Sequence, residues 1–402
     1  MPVFQPATTR EQPAPETAEG PAGIYVHIPF CRSKCPYCSF VSFQDVDAGV
    51  KKAYMAALGR QAGEMAAHPW VRARAFHSLY VGGGTPPTVD ISGLAAFIEN
   101  CLKAFRFRVP SGERPEVTLE ANPNTINPEM LKIFRQAGVN RLSLGIQSFS
   151  DVMLRALGRK HSAQDGIRAA AAAREAGFAN ISLDLMYGLP GQDLATWQDS
   201  LDRAAALGPE HLSVYELTIE QDTPFAELEC LGKLALPDED MVLVMFERAQ
   251  EFLSAQGYEQ YEISNYARQG FQCTHNINYW ENGCYIGLGS GAVSCFSGVR
   301  IKNVEDPVRF IEAVRQEIQP FKEAEILDLS ARFRETVIMG LRMTAGVSLA
   351  RLQERFGTTP EKYYGEVLVS LIRDGLLEEH QGWLRLTQRG LLLANRVMAC
   401  LV

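Results

Sequence analysis

No apolar run among the 402 residues reaches the roughly 18 that a membrane-crossing helix requires. Positive charge is also scarce. The chain holds 39 Lys and Arg against 47 Asp and Glu, a net of −8, too little for general binding to phosphate backbones, which needs clustered cations. Met1 to Gly20 is rich in Pro, Ala, Thr and Glu and lacks the apolar core of a secretory signal, so residues 1–22 are expected to form a disordered tail. A disulfide framework is missing as well: the nine cysteines are odd in number and scattered, which suits a reducing, cytoplasmic setting.

What remains is the composition of an ordinary globular protein, 46% hydrophobic and 21% charged, long enough for two domains. These are expected over 23–305 and 306–402. Strand-like runs at Ile24 to Ile28, Ser78 to Gly82, Glu116 to Ala121, Arg141 to Gln147, Asn180 to Met186 and His211 to Leu217 alternate with helical patterns. The helices are expected at Asp47 to Ala67, Leu94 to Phe105, Pro128 to Ala137, Ala163 to Ala176, Leu194 to Leu207 and Asp240 to Gln256. Such alternation predicts an α/β fold with a parallel sheet, because parallel strands need long crossovers. Periodicity does not say whether the sheet closes.

The chain is organised around Cys31-Arg-Ser-Lys-Cys35-Pro-Tyr37-Cys38, which follows the first strand. Three thiols at C-x3-C-x2-C spacing can face one soft metal centre, and three ligands on a four-iron cluster leave one iron open to a reagent. Zinc is the alternative. A structural zinc site normally takes four protein ligands, and the next cysteine, Cys101, has no C-x2-C partner.

Other candidates sit at strand ends. Consecutive Gly82, Gly83 and Gly84 before Thr85 let backbone amides approach a ligand, or form only a tight turn. Glu120 could bind a hydroxyl or an amine, or simply be an exposed strand-end acid; Gln147 and Asp184 invite the same two readings. Downstream, His275-Asn-Ile-Asn-Tyr279-Trp280 sets an imidazole beside two large aromatics. That group could ligate heme iron or flank a porphyrin, or be plain core.

The cysteine motif, with Tyr37 just before its third thiol, resembles the radical S-adenosylmethionine (SAM) superfamily. The lead-in Tyr25-Val-His-Ile-Pro-Phe30 and the later segments narrow the resemblance to the HemN/HemW group of coproporphyrinogen dehydrogenases and heme chaperones, from about residue 23 to the C-terminus. It implies a partial (β/α)6 barrel with a C-terminal winged-helix-like α+β domain, and chemistry at the strand C-termini. It also implies a [4Fe-4S] cluster on Cys31, Cys35 and Cys38, SAM contacts from Tyr25, Tyr37, Gly82, Gly83, Gly84, Thr85, Glu120, Gln147, Arg159 and Asp184, and His275 as a heme contact. In the superfamily, an electron from the cluster cleaves SAM to a 5′-deoxyadenosyl radical, so a donor such as flavodoxin or ferredoxin is implied.

Two features place the chain on the chaperone branch. Phe40 stands where the dehydrogenases carry a fourth cysteine, and the H-N-x-x-Y-W segment is a chaperone pattern. One departs from it: Gly291-Ala292-Val293 stands where chaperones often have Gly-Ala-His. The expected function is to hold heme and deliver it to an acceptor protein. The alternatives are oxygen-independent coproporphyrinogen III dehydrogenase and a radical SAM methylase using two SAM molecules.

Residues 321–402 carry 11 Lys and Arg against 10 Asp and Glu, which argues against DNA as the partner of the winged-helix unit. A cover over the barrel mouth or a partner surface is expected instead. A homodimer and a peripheral membrane contact stay open, although no strongly basic amphipathic helix supports the latter.

Overall fold

The computed structural model describes residues 22–109, 114–296 and 298–402; the tail expected over residues 1–22 lies outside them except for Ala22. Six parallel strands make the centre: β1 (Ala22–Ile28), β2 (Phe76–Gly83), β3 (Glu116–Ala121), β4 (Arg141–Gln147), β5 (Ile181–Tyr187) and β6 (His211–Glu216). They pair in chain order. Each is followed by at least one helix, and the main crossovers include Ala48–Ala67, Ile91–Ala104, Pro128–Gln136, Ala163–Glu175, Leu194–Ala206 and Glu239–Ala255. Short polar side chains define where these helices begin. Asp47, Asp90, Asn127, Ser162, Asp193 and Asp238 each accept a backbone N–H from the first turn that has no partner within the helix.

The six-unit barrel is partial, because both flanks of the sheet are extended instead of meeting. Beyond β6 lie β8 (Asn265–Ala267) and β7 (Glu259–Glu262), both antiparallel additions. Beyond β1 lie β9 (Tyr285–Leu288), β10 (Val293–Phe296), β11 (Val299–Asn303) and β12 (Phe321–Ile326), giving the order β12-β11-β10-β9-β1-β2-β3-β4-β5-β6-β8-β7. The glycine-rich segment 285–294 forms β9, a turn and the start of β10. Gly287 allows this: a Cβ there would lie 2.2 Å from the Val293 carbonyl oxygen.

Apolar side chains on the outer face of the strands meet the helices in one large core around Ile24, Val26, Leu79, Leu119, Leu142, Leu183, Leu212 and Trp197. A second core gathers Phe333, Val337, Leu352, Phe356, Leu368, Leu377, Leu384 and Val397 beneath a small sheet of β13 (Val347–Ser348), β15 (Trp383–Leu386) and β14 (Leu377–His380). This is the winged-helix-like unit. Its core starts later than the boundary at 306 drawn from the sequence. Phe310, Ile311 and Val314 of helix Pro307–Arg315 join the large core, with Phe310 against Tyr54, and β12 completes the large sheet.

Candidate functional site

The inner face of the barrel is polar. At the C-terminal ends of its strands lies a cavity of ≈ 330 Å³ lined by Cys31, Cys35, Cys38, Tyr37, Gly83, Gly84, Thr85, Glu120, Gln147, Arg159 and Asp184, among others. Most of the residues singled out from the sequence therefore meet in one place. Tyr25, Gly82 and His275 do not line it. Tyr25 bonds His27 Nδ1 at 2.9 Å and stacks near Tyr80.

The cysteine loop is fixed by its neighbours. Cys31 N–H donates to the Phe43 carbonyl, and the Pro36 carbonyl accepts from Phe225 N–H at 3.0 Å. Tyr37 packs beside Phe225 and a satellite cluster of Met153, Leu157, Met186 and Leu217. The three glycines of Gly82-Gly83-Gly84 each answer a different close approach. A Cβ on Gly82 would lie 2.7 Å from Glu120 Oε2, one on Gly83 would enter the His27 ring, and one on Gly84 would lie 2.7 Å from the Phe30 carbonyl oxygen. The last contact brings the β2 end up against the start of the cysteine loop.

Glu120 accepts from Tyr80 Oη at 2.7 Å and from the Gly83 N–H at 3.1 Å. Burial pushes its carboxyl up to about 7, with Asp184 adding repulsion and the two hydrogen bonds opposing. Asp184 accepts from Ser143 through both oxygens at 3.1 Å and is likewise raised by burial. Gln147 sits after a bulge at the end of β4 with φ of 66°, a left-handed conformation uncommon outside glycine. Arg159 donates to Asn122 Oδ1 and the Gly145 carbonyl, each at 2.6 Å, and reaches Cys35 Sγ at 3.7 Å. It thus ties the β4 end to the cysteine loop.

Sequence reasoning missed Asn122, Arg141, Ser143, Ser213 and Tyr215, which also line the cavity. Strand alternation carried a signal for most of them. Arg141, Ser143 and Gly145 share one face of β4, and Ser213 and Tyr215 share one face of β6. Asn122 bridges Thr85 and Arg159 from just past a strand end, where no periodicity applies.

The donor set fits an iron-sulfur cluster. Cys31, Cys35 and Cys38 are free, partly accessible and turned to one cavity. Among the described residues no three His, Cys, Asp or Glu side chains are arranged to hold a single metal ion. A four-iron cube takes one thiolate at each ligated corner, and three thiols lining one cavity supply that number.

His275 stands apart from this site. It belongs to helix Thr274–Trp280, whose first N–H groups are capped from β3 by Glu116: Thr274 and His275 donate to its carboxylate at 3.0 and 3.1 Å. The ring is buried. Nδ1 bonds Ser78 Oγ at 2.9 Å, while Tyr80 and Tyr279 pack against it. The expected heme contact is therefore buried beside the cavity, with its Nε2 left without a hydrogen-bond partner, while the next residue, Asn276, lines the cavity.

Residues 25–204 match the radical SAM superfamily, and residues 327–393 match the HemN C-terminal domain. The structure resembles that of coproporphyrinogen III oxidase (HemN) from Escherichia coli, described as a radical SAM enzyme, with a TM-score of 0.82 at 23% identity over 95% of this chain and 90% of that one. Fold and cysteine loop together define the radical SAM class. Heme chaperone HemW of Bacillus subtilis is 36% identical over 380 residues, covering 93% of this chain and 97% of the relative. The proteins of the same name from Lactococcus lactis and Haemophilus influenzae are 32% and 33% identical, covering 96% and 97% of the relatives. The chain belongs to the HemW family of radical SAM proteins. Among the described residues no helix is long and apolar enough to cross a membrane.

Proposed function

We propose that this protein is a heme chaperone that binds a [4Fe-4S] cluster through Cys31, Cys35 and Cys38, binds SAM in the adjoining cavity, and holds heme for delivery to an acceptor protein. The observation that carries the reading is the convergence of the three thiols with Glu120, Gln147, Arg159 and Asp184 on one cavity, in a chain whose full-length relatives are named heme chaperones. When bound, the cluster would supply an iron with no protein ligand, open to SAM. The protein's own residues do the rest. Glu120 and Asp184 offer acceptors for hydroxyl and ammonium groups, while Gly83 and Gly84 keep the wall low enough for a ligand backbone to lie against it.

Phe40 favours transfer over decarboxylation. It lines the cavity rim and is 69% exposed, at the position where the dehydrogenases carry a further thiol. The packing of Tyr80 and Tyr279 on the His275 ring favours a heme ligand other than this histidine. We place heme, its acceptor and an electron donor among the partners, in a cytoplasmic setting.

Anaerobically reconstituted protein, incubated with coproporphyrinogen III, SAM and a reductant and titrated separately with hemin, tests this. The expected result is hemin binding without protoporphyrinogen. Formation of protoporphyrinogen with weak hemin binding would establish the dehydrogenase instead.

A further inference from the structure

Arg141 opens β4 with its guanidinium almost wholly out of solvent, 2% exposed, yet it lines the same cavity as Glu120 and Asp184. Its Nε has no hydrogen-bond partner. Strand register fixes its place. Thr118 of β3 lies beside Arg141, and one step further along the same faces Glu120 lies beside Ser143, which holds both oxygens of Asp184. The cation therefore lies one register step before Glu120 and Ser143 on the same inner face, with Cys273 and Glu116 also acting on it, whereas Arg159 is turned to Cys35. A buried charge of this kind persists only where opposite charge is near.

We propose that Arg141 is a positioning residue whose fixed charge opposes the protonation of Glu120 and Asp184, so that the cavity favours a ligand bearing positively charged groups. The inference rests on the reading of the cavity as a SAM site. The surrounding groups do not substitute for Arg141. Tyr80 and Tyr215 line the cavity, and these two, with Tyr25 and Tyr261, are kept protonated by burial. Burial likewise keeps His211 and His275 neutral and pushes the Cys273 thiol up to about 12. Glu116 is engaged as a helix cap, and Glu262 faces Arg342 at 3.7 Å. Without the guanidinium, the two desolvated carboxylates would lose that opposing charge and keep their protons to higher pH.

The test compares wild type, Arg141→Met and Arg141→Lys in cluster-reconstituted full-length protein, with SAM binding measured by calorimetry from pH 6 to 9. Arg141→Met is expected to weaken SAM binding about fivefold at pH 7 and to regain affinity as the pH rises, because a one-unit rise takes the charged fraction of Glu120 from about one half to about one tenth. Iron and sulfide content should not change, and Arg141→Lys should stay close to wild type. An Arg141→Met profile parallel to wild type at every pH overturns the proposal, whether affinity is retained or uniformly lost. A second readout needs no SAM. Thermal unfolding of the ligand-free Met variant should lose stability more steeply than wild type between pH 6 and 8.5, and adding Glu120→Gln should reduce that slope. Equal slopes also overturn the proposal. Failure of wild type to bind SAM, with the slopes still differing, would instead remove the SAM reading and leave the charge pairing.

Discussion

The ring of His275 lies against that of Tyr80, centroids 5.0 Å apart and planes inclined by 26°, and the Tyr80 hydroxyl donates to Glu120 at 2.7 Å. The His275 ring thus reaches the cavity through one intervening side chain, while Asn276 of the same helix lines it directly. His275→Ala removes a packed ring and the bond to Ser78, and should cost about 2–4 kcal/mol by the usual magnitudes for a buried truncation. SAM affinity should fall several-fold as Tyr80 loses its support. The Soret band of the heme complex should persist, and absorption titration with hemin checks this directly; its loss, with the fold intact, would restore His275 as a ligand.

Glu120 gives a pH signature in the absence of ligand. Its carboxyl is raised from 4.5 to about 7 in the folded chain, mainly by burial. Below pH 4.5 both states carry the proton and the group contributes nothing. Between there and about pH 7 the folded state holds more protons than the unfolded one, so stability falls as pH rises, and above that window the penalty is constant. Glu120→Gln should flatten this segment and raise the melting temperature at pH 8 relative to wild type. Scanning calorimetry of both proteins at pH 5, 6, 7 and 8 would show it; parallel curves would mean that Glu120 titrates normally.

Six strands and the helices between them were legible because each carries its own period, and because Asp, Asn or Ser stands at the helix starts. Convergence of the cysteines with Glu120, Gln147, Arg159 and Asp184 was legible only through resemblance, since residues up to about 150 apart meet by strand order and not by local pattern. For His275 the sequence left two readings open, a heme contact or plain core. An imidazole beside aromatics has one composition whether it faces heme or a tyrosine, and only the path of the chain after β8 decides between them. The long antiparallel flank escaped notice for a similar reason: Gly287 and Gly289 signal a turn, whereas here glycine lets β10 and Tyr54 come close.

Glycine positions separate the site from the scaffold. Gly84→Ala would set a Cβ 2.7 Å from the Phe30 carbonyl oxygen, a backbone atom that cannot swing away, and should cost about 1–3 kcal/mol as overpacking does. The displacement falls at the root of the cysteine loop, so cluster occupancy should drop as well. Gly59→Ala is the counterpart: it lies within helix Ala48–Ala67 with nothing inside 4 Å of the new methyl, and should stabilise by about 0.5–1 kcal/mol. Iron content and melting temperature of the two variants would move in opposite senses from wild type or refute the assignment.

The C-terminal unit is joined to the barrel by Arg342, which stacks over Trp280 at 4.4 Å from the ring centre and faces Glu262 at 3.7 Å. Glu262 is fully buried, and burial raises its pKa while Arg342 opposes the rise. Removing the guanidinium leaves a buried carboxyl with no cation, and such breaks cost about 3–5 kcal/mol when the charge persists. Arg342→Ala should therefore be most destabilising at alkaline pH, where Glu262 must ionise, and mildest at acid pH, where it keeps its proton. A Glu262→Gln/Arg342→Ala pair should recover much of the loss at pH 8. If Arg342→Ala proves equally destabilising from pH 5 to 8, its contribution comes from the cover over Trp280 and not from charge, and the double variant would then give no recovery.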